Sequence, residues 1–240
     1  MKLVLKDAQV PVAEPKPSAT IVVVRDGPSG PEVLLLKRSP DLAHMPDAWV
    51  FPGGKVDPHD AGDTPAMRAR AAACRELKEE ASLDLSADDL LYFSHWLTPE
   101  IIKRRFATWF YLAAVDSFAE VHVDGSEIVD YRWIRPQQAL DEQLAGGLQA
   151  PPPTLVTLTE IQLAADVSSL TTMISQREPP FFFPKLHKAG EGMLFLYPGD
   201  SGYVSDDPNV EGDRHRMLID RGIFDYQRSF EWPARSADAT

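Results

Sequence analysis

One stretch, Thr64 to about Leu83, limits the fold of this chain more than any other. It is rich in Ala, Arg, Glu and Leu, has Pro65 at the first-turn position that proline favours, and reads as a helix. At about 100° per residue, Glu76, Glu79 and Glu80 share one arc of the helix, and Met67, Cys74, Leu77 and Ala81 form a nearly opposite apolar stripe. Such a helix lays its stripe on another element and turns its carboxylates away from it. Like charges at i,i+4 cost roughly a few tenths of a kcal/mol, and near a helix C-terminus they also oppose the dipole. A divalent cation with oxygen ligands relieves both penalties. A solvated Glu-rich face is the plain alternative.

The partner of the stripe is a sheet. Ala19-Thr20-Ile21-Val22-Val23-Val24-Arg25 and Glu32 to Arg38 read as a hairpin, preceded by a Pro-rich arm over residues 1–18. Trp49-Val50-Phe51 is a short strand that runs into Pro52-Gly53-Gly54, where two glycines let the backbone approach a ligand closely. Residues 90–96, 107–115 and 128–134 are further strands, and 136–144, 154–166 and 167–176 are helices. Strand-like pieces follow at 192–196 and 215–219. Strands and helices interleave without a regular βαβ rhythm, which predicts an α/β fold with a mixed sheet and helices on its faces.

Charge and cysteine content narrow the partners. With 24 Lys+Arg against 36 Asp+Glu, the net charge of −12 argues against a general nucleic-acid binder. It does not exclude a phosphate-bearing substrate, because a bound cation reverses a local field. The lone Cys74, on the apolar stripe, excludes an intramolecular disulfide and reads as a core thiol. No stretch reaches the ~20 apolar residues of a membrane span, the first residues do not form a secretory signal, and Ala-Asp-Ala-Thr at the end is no Ser-Lys-Leu address. The expectation is a cytoplasmic protein with no membrane partner.

The helix and the glycines together resemble the Nudix box: Gly, five residues, Glu, seven residues, Arg-Glu-apolar-any-Glu-Glu-any-Gly-apolar. Gly54 matches its opening glycine, Arg75-Glu76-Leu77-Lys78-Glu79-Glu80 its helix and Leu83 its final apolar position. Two departures stand out. Gly54 and Arg75 are separated by 20 residues, seven more than in the plain box, and Asp57, Asp60 and Asp63 crowd the loop without one of them assignable to the box's first Glu. Ser82 replaces the glycine that ends the helix in the left-handed conformation, so the helix is expected to end differently.

The resemblance implies a Nudix-type α/β/α sandwich, with a catalytic core over 15–147 and a C-terminal helical extension over 148–235 packed on it as one domain. It implies a metal-dependent hydrolase of a nucleoside diphosphate-linked small molecule, with Mg²⁺ or Mn²⁺ as cofactor. Glu76, Glu79 and Glu80 look like the metal ligands, with the Gly54 carbonyl, and Arg75 would fix the geometry of a neighbouring carboxylate. Glu127, in the loop before a later strand, is the candidate base, with Glu100 as runner-up. A homodimer is compatible with the pattern.

A longer likeness, through Leu34-Leu35-Leu36-Lys37-Arg38-Ser39-Pro40, Val50-Phe51-Pro52-Gly53-Gly54 and Trp96-Leu97-Thr98-Pro99, is to the coenzyme A diphosphatases of the Nudix-19 type. It implies cleavage of CoA or acyl-CoA to 3′,5′-ADP and (acyl-)phosphopantetheine. Arg38, Arg104 and Arg105 are then candidate contacts to the extra 3′-phosphate, since Arg suits phosphate bidentately, although each is as readily a structural ion pair. ADP-ribose or another nucleotide derivative is the alternative substrate, and a catalytically silent nucleotide sensor the alternative class. Phe181-Phe182-Phe183 reads as core before it reads as a pocket for an adenine or an acyl chain.

Overall fold

The computed structural model describes residues 11–235; of the Pro-rich arm, positions 1–10 lie outside the described residues. Lys16–Gly27 (β1) and Gly30–Arg38 (β2) form the expected hairpin, paired from Val24↔Val33 to Gly27↔Gly30. Beyond Val24 and Val33 the two strands part, and the chain from Trp49 to Lys55 fills the wedge. Trp49–Val50 (β3) pairs β2 and Gly53–Lys55 (β4) pairs β1. Only glycine fits at position 53: its φ is 154°, and a Cβ there would lie 2.4 Å from the Ala19 carbonyl oxygen.

Leu91–Leu97 (β5) and Phe106–Ala114 (β6) pair antiparallel, and β6 runs parallel to β1. Ile128–Ile134 (β7) pairs β2, and Phe181–Phe182 (β8) adds a parallel strand beside β5. The result is the mixed sheet the sequence predicts. Ile21-Val22-Val23-Val24 and Leu34-Leu35-Leu36 are wholly buried because both faces of this sheet are covered.

One face carries Pro65–Ala81 (α1), over Ile21, Val23, Leu34 and Leu36. The other, over Val22, Val24 and Leu35, carries Pro136–Leu144 (α2), Pro152–Ile161 (α3) and Val167–Gln176 (α4). Thr64 caps α1, its hydroxyl accepting from Met67 N at 3.2 Å, and Pro65 opens it. The buried stripe of α1 differs from the expected one. Met67 is 49% exposed and Cys74 is partly buried, and contact with the sheet is made by Ala69, Ala72, Ala73, Leu77 and Ala81. Small alanines let the helix backbone come close to the sheet, close enough for the Tyr111 hydroxyl to donate to Ala66 O at 3.0 Å.

The C-terminal extension is helical only in its first half. Lys185–Ala189 (β9), Gly192–Leu196 (β10), His215–Asp220 (β11) and Ile223–Arg228 (β12) form a second, antiparallel sheet in the order β12-β11-β10-β9. Two strands of this sheet, β9 and β12, were not shown by sequence patterning; they are its Lys-His-Lys- and Asp-Gln-Arg-bearing outer strands. Phe195 and Met217 from it, with Tyr197 just after β10, join Phe93, Trp96 and Phe110 of the main sheet in one core cluster. Among the described residues, no helix is long and apolar enough to cross a membrane.

Candidate active site

The wedge between β1 and β2 and the C-terminal half of α1 bring the glycine turn and the glutamates together. Gly53 N–H donates to Glu80 Oε2 at 2.8 Å. A Cβ on Gly54 would lie 2.4 Å from Glu76 Cδ and Oε1, so the bare backbone at this position is what lets the Glu76 carboxylate sit against the strand. Glu80 is buried, 7% exposed, and receives no hydrogen bond or ion pair from a cationic side chain among the described residues. Burial pushes its carboxyl pKa up to about 8; the Gly53 bond and Arg38 oppose this, and the charges of Glu76 and Glu127 add to it. The pKa of Glu76 is also raised, by burial first, with Arg75 pulling against it.

Arg75 changes the charge argument made from the sequence. Its guanidinium bonds Asp60 Oδ1 at 2.9 Å, Asp60 Oδ2 at 3.2 Å, Glu76 Oε1 at 2.8 Å, Glu79 Oε2 at 3.2 Å and the Lys55 carbonyl at 3.0 Å. Glu76 and Glu79 therefore already have a counter-charge, and their repulsion does not by itself demand a metal ion. The carboxylate left uncompensated is Glu80. Asp60 lies six residues after Gly54, the spacing of the first Glu in the box, and its buried carboxylate takes the bidentate contact with Arg75. Counting forward from Gly54 would have singled it out; counting back from Arg75 crosses the inserted residues and hides it.

The remaining site residues separate into two groups. Glu127 lies beside the cluster: its backbone carbonyl accepts from Ser39 N at 2.8 Å, its N–H is held by Asp124 Oδ1 at 2.8 Å, and its charge acts on Glu80. Arg38 acts on Glu80 as well, and its Nε donates to His44 O at 3.3 Å. Arg38 and Arg104 both lie near the His44 ring, whose pKa is lowered by partial burial and then by these two charges. Arg105 is elsewhere. It is 7% exposed, with Nε on Thr98 O at 3.0 Å and Nη1 on Ala13 O at 2.9 Å, which makes it a brace for the segment before β1 rather than a surface contact. Glu100 is exposed in the turn between β5 and β6. Phe182 is core, stacked on Trp96 at 3.9 Å, while Phe181 is 47% exposed.

Fold and site together define a class of α/β protein in which a carboxylate-bearing helix faces a Gly-Gly turn in a split, mixed sheet. The family model for the NUDIX domain matches residues 15–153, and the chain belongs to that family. It is 30% identical over 231 residues to a Caenorhabditis elegans protein named "Putative nudix hydrolase 7", covering 80% of this chain and 76% of that one. It is 29% identical over 198 residues to the human acyl-coenzyme A diphosphatase NUDT19, covering 80% of this chain and 52% of the human protein, so it spans about half that relative's length. A NUDIX hydrolase from Alicyclobacillus acidocaldarius shares the fold, with a TM-score of 0.60 and 22% identity over 67% of this chain and 96% of the other. The protein is a Nudix hydrolase, a pyrophosphohydrolase of nucleotide-derivative substrates.

Proposed function

We propose that this enzyme cleaves the diphosphate of CoA or acyl-CoA, releasing 3′,5′-ADP and (acyl-)phosphopantetheine, with Mg²⁺ or Mn²⁺ bound. The observation that carries the metal dependence is Glu80: a buried carboxylate with raised pKa, held in place by Gly53 N–H, beside Glu76 on the bare backbone of Gly54. Such a pair is disfavoured as two anions and favoured once a cation lies between them. The donor set fits a hard cation, since every candidate ligand is an oxygen.

Among the described residues no three His, Cys, Asp or Glu side chains converge as a preformed cage. Mg²⁺ uses one or two carboxylates and completes its shell with waters and substrate phosphates. Glu76 and Glu80 would be the principal holders, with Glu79 and the Gly54 carbonyl as further donors by their place in the box. Bound there, the ion would supply charge neutralisation on the diphosphate. Arg75, fixed by Asp60, keeps the Glu76 carboxylate in position. Glu127 is the candidate base that would take the proton of an attacking water. Arg38 and Arg104 are the cations available to an additional phosphate, and the likeness to NUDT19 supports a substrate that carries one.

The test is hydrolysis with Mg²⁺ or Mn²⁺ across CoA, acyl-CoA, ADP-ribose and a diadenosine polyphosphate, with products resolved by chromatography. Release of 3′,5′-ADP at a kcat/KM at least tenfold above that for ADP-ribose is expected. Preference for ADP-ribose overturns the CoA assignment, and no hydrolysis of any diphosphate overturns the enzyme reading.

A further inference from the structure

Strand register extends the carboxylate site into a line of aromatic rings. On one side of Ala19 in β1 stands Gly54 of β4, and on the other stands Trp109 of β6. Trp109 is paired with His95 of β5, and His95 with Phe181 of β8. Gly54, Ala19, Trp109, His95 and Phe181 thus form one row across five strands. Residues directly opposite one another in a sheet point to the same face, and Ala19 points to the face that carries α1. The Gly54 end agrees, because it is the α1 residue Glu76 that a Cβ there would strike. The row leads from the carboxylates to the open edge of the sheet on the same face.

Strands lie about 4.8 Å apart, so Trp109 is about 10 Å from Gly54 and Phe181 about 19 Å from it. The first of these distances is one that a pentose and a phosphate bridge. The rings interlock: His95 stands edge-on to Trp109 with centroids 4.6 Å apart, and Phe181 lies nearly parallel to His95, tilted 26°, at 5.7 Å. None of the three is closed into the core, for Trp109 and His95 are partly exposed and Phe181 is 47% exposed. Phe182, the adjacent residue, points to the opposite face and is buried there, so the exposure of Phe181 follows from the alternation of the strand. Burial lowers the pKa of His95, which leaves the row uncharged at neutral pH and suited to a neutral ring rather than to another phosphate.

We propose that the face of Trp109, braced edge-on by His95 with Phe181 behind it, is the shelf on which the heterocyclic base of the substrate stacks while its diphosphate lies at Glu76 and Glu80. This rests on the diphosphatase reading and deepens it: the enzyme selects diphosphates that carry a planar base about one ribosyl phosphate away from the scissile bond. Diphosphates without a base lack that anchor.

Titration with 3′,5′-ADP, followed by calorimetry and by quenching of tryptophan fluorescence, tests the shelf without turnover. Trp109→Leu keeps apolar bulk and removes the π-face, and is expected to raise the Kd by roughly ten- to a hundredfold. Trp109→Phe is expected to stay within about threefold of wild type, since every aromatic ring offers a stacking face. In steady state the Leu variant should raise KM for base-bearing substrates with little change in kcat. Circular dichroism of each variant separates misfolding from lost stacking, and a misfolded Trp109→Leu is replaced by His95→Leu, which removes the ring that braces Trp109 edge-on and for which a loss in the same direction is expected. Unaltered 3′,5′-ADP affinity in folded Leu variants overturns the shelf. If wild type hydrolyses no diphosphate yet binds 3′,5′-ADP in a Trp109-dependent way, the diphosphatase reading fails and the shelf stands.

Discussion

Under the proposed metal role, Glu80 sets function against stability. Its carboxylate is buried beside Glu76 and close to Glu127, and the Gly53 N–H is its one hydrogen-bond donor among the described residues. With the folded pKa raised to about 8 from an ordinary 4.5, the folded chain holds a proton that the unfolded chain releases at lower pH. The sign follows from proton linkage: between these values the native state binds more protons, so stability falls as pH rises. Glu80→Gln keeps an acceptor for Gly53 N–H and removes the charge. In metal-free protein its melting temperature is expected to exceed that of wild type by at least roughly 2 °C at pH 8, the shift that about 1 kcal/mol produces in a chain of this size. The difference should shrink towards pH 4.5. The same variant is expected to lose more than about 100-fold in divalent-dependent turnover. Melting curves across pH together with initial rates decide it. A Gln variant less stable than wild type at pH 8 would place the Glu80 charge among the interactions that hold the fold, contrary to this account.

At the scale of elements, α1 ends where the family glycine would end it, although the residue there is Ser82. Its φ and ψ are 57° and 23°, in the left-handed region, and its N–H still bonds Lys78 O at 3.1 Å. The strain that a side chain incurs in this conformation, about 1–2 kcal/mol per residue, is offset by the Ser82 hydroxyl, which donates to His122 O at 3.0 Å. Ser82→Gly and Ser82→Ala both delete that bond, but only glycine relieves the strain. The Gly variant is therefore expected to be more stable than the Ala variant by about 1 kcal/mol in chemical denaturation. Equal stabilities would mean the loop through His122, and not the cap, holds the helix end. The expectation that serine ends the helix differently failed because the sequence shows the residue and not the partner 40 positions away. The other elements divide in the same way. β1, β2, β7, α2 and α4 were legible because each has its own period or cap, such as the Asp166–Ser169 capping box of α4. β4, β8, β9 and β12 were not, being strands of two or three residues or outer strands with charged side chains, set by what they pair with. That Glu76 and Glu80 meet the Gly53-Gly54 turn was legible from the box. The role of Asp60 was hidden by inserted residues, and the row from Gly54 to Phe181 exists only through strand register.

At the scale of the whole molecule, the family match ends at residue 153, but the core does not. Trp96 of the main sheet is stacked on Phe182 at 3.9 Å and meets Tyr197 edge-on at 5.7 Å. Arg177 lies over the Phe93 ring at 4.8 Å, and Val167 N–H donates to Asp26 Oδ1 at 2.9 Å across the β1–β2 hairpin. Glu160 joins the extension to itself, accepting from Arg177 Nη1 at 3.0 Å, Arg228 Nε at 3.1 Å and Trp232 Nε1 at 2.8 Å. We therefore propose that 148–235 is part of one domain with 15–147. A chain ending at Pro153 would uncover Phe93, Trp96 and Phe110, each of which stabilises by about 1.5–3 kcal/mol when buried. Their sum approaches the roughly 5–15 kcal/mol that separates a folded domain from its unfolded state. The truncated chain is expected to bind a hydrophobic dye, to lose its near-ultraviolet dichroism and to melt without a cooperative transition. Phe182→Ala in the full chain removes one part of that contact and is expected to cost about 3–5 kcal/mol while keeping the transition cooperative. A sharp, reversible transition in the truncated chain would show that the catalytic core folds alone. The extension would then be an appendage, and its strand β8, with Phe181 at the end of the aromatic row, would be dispensable to the sheet it completes.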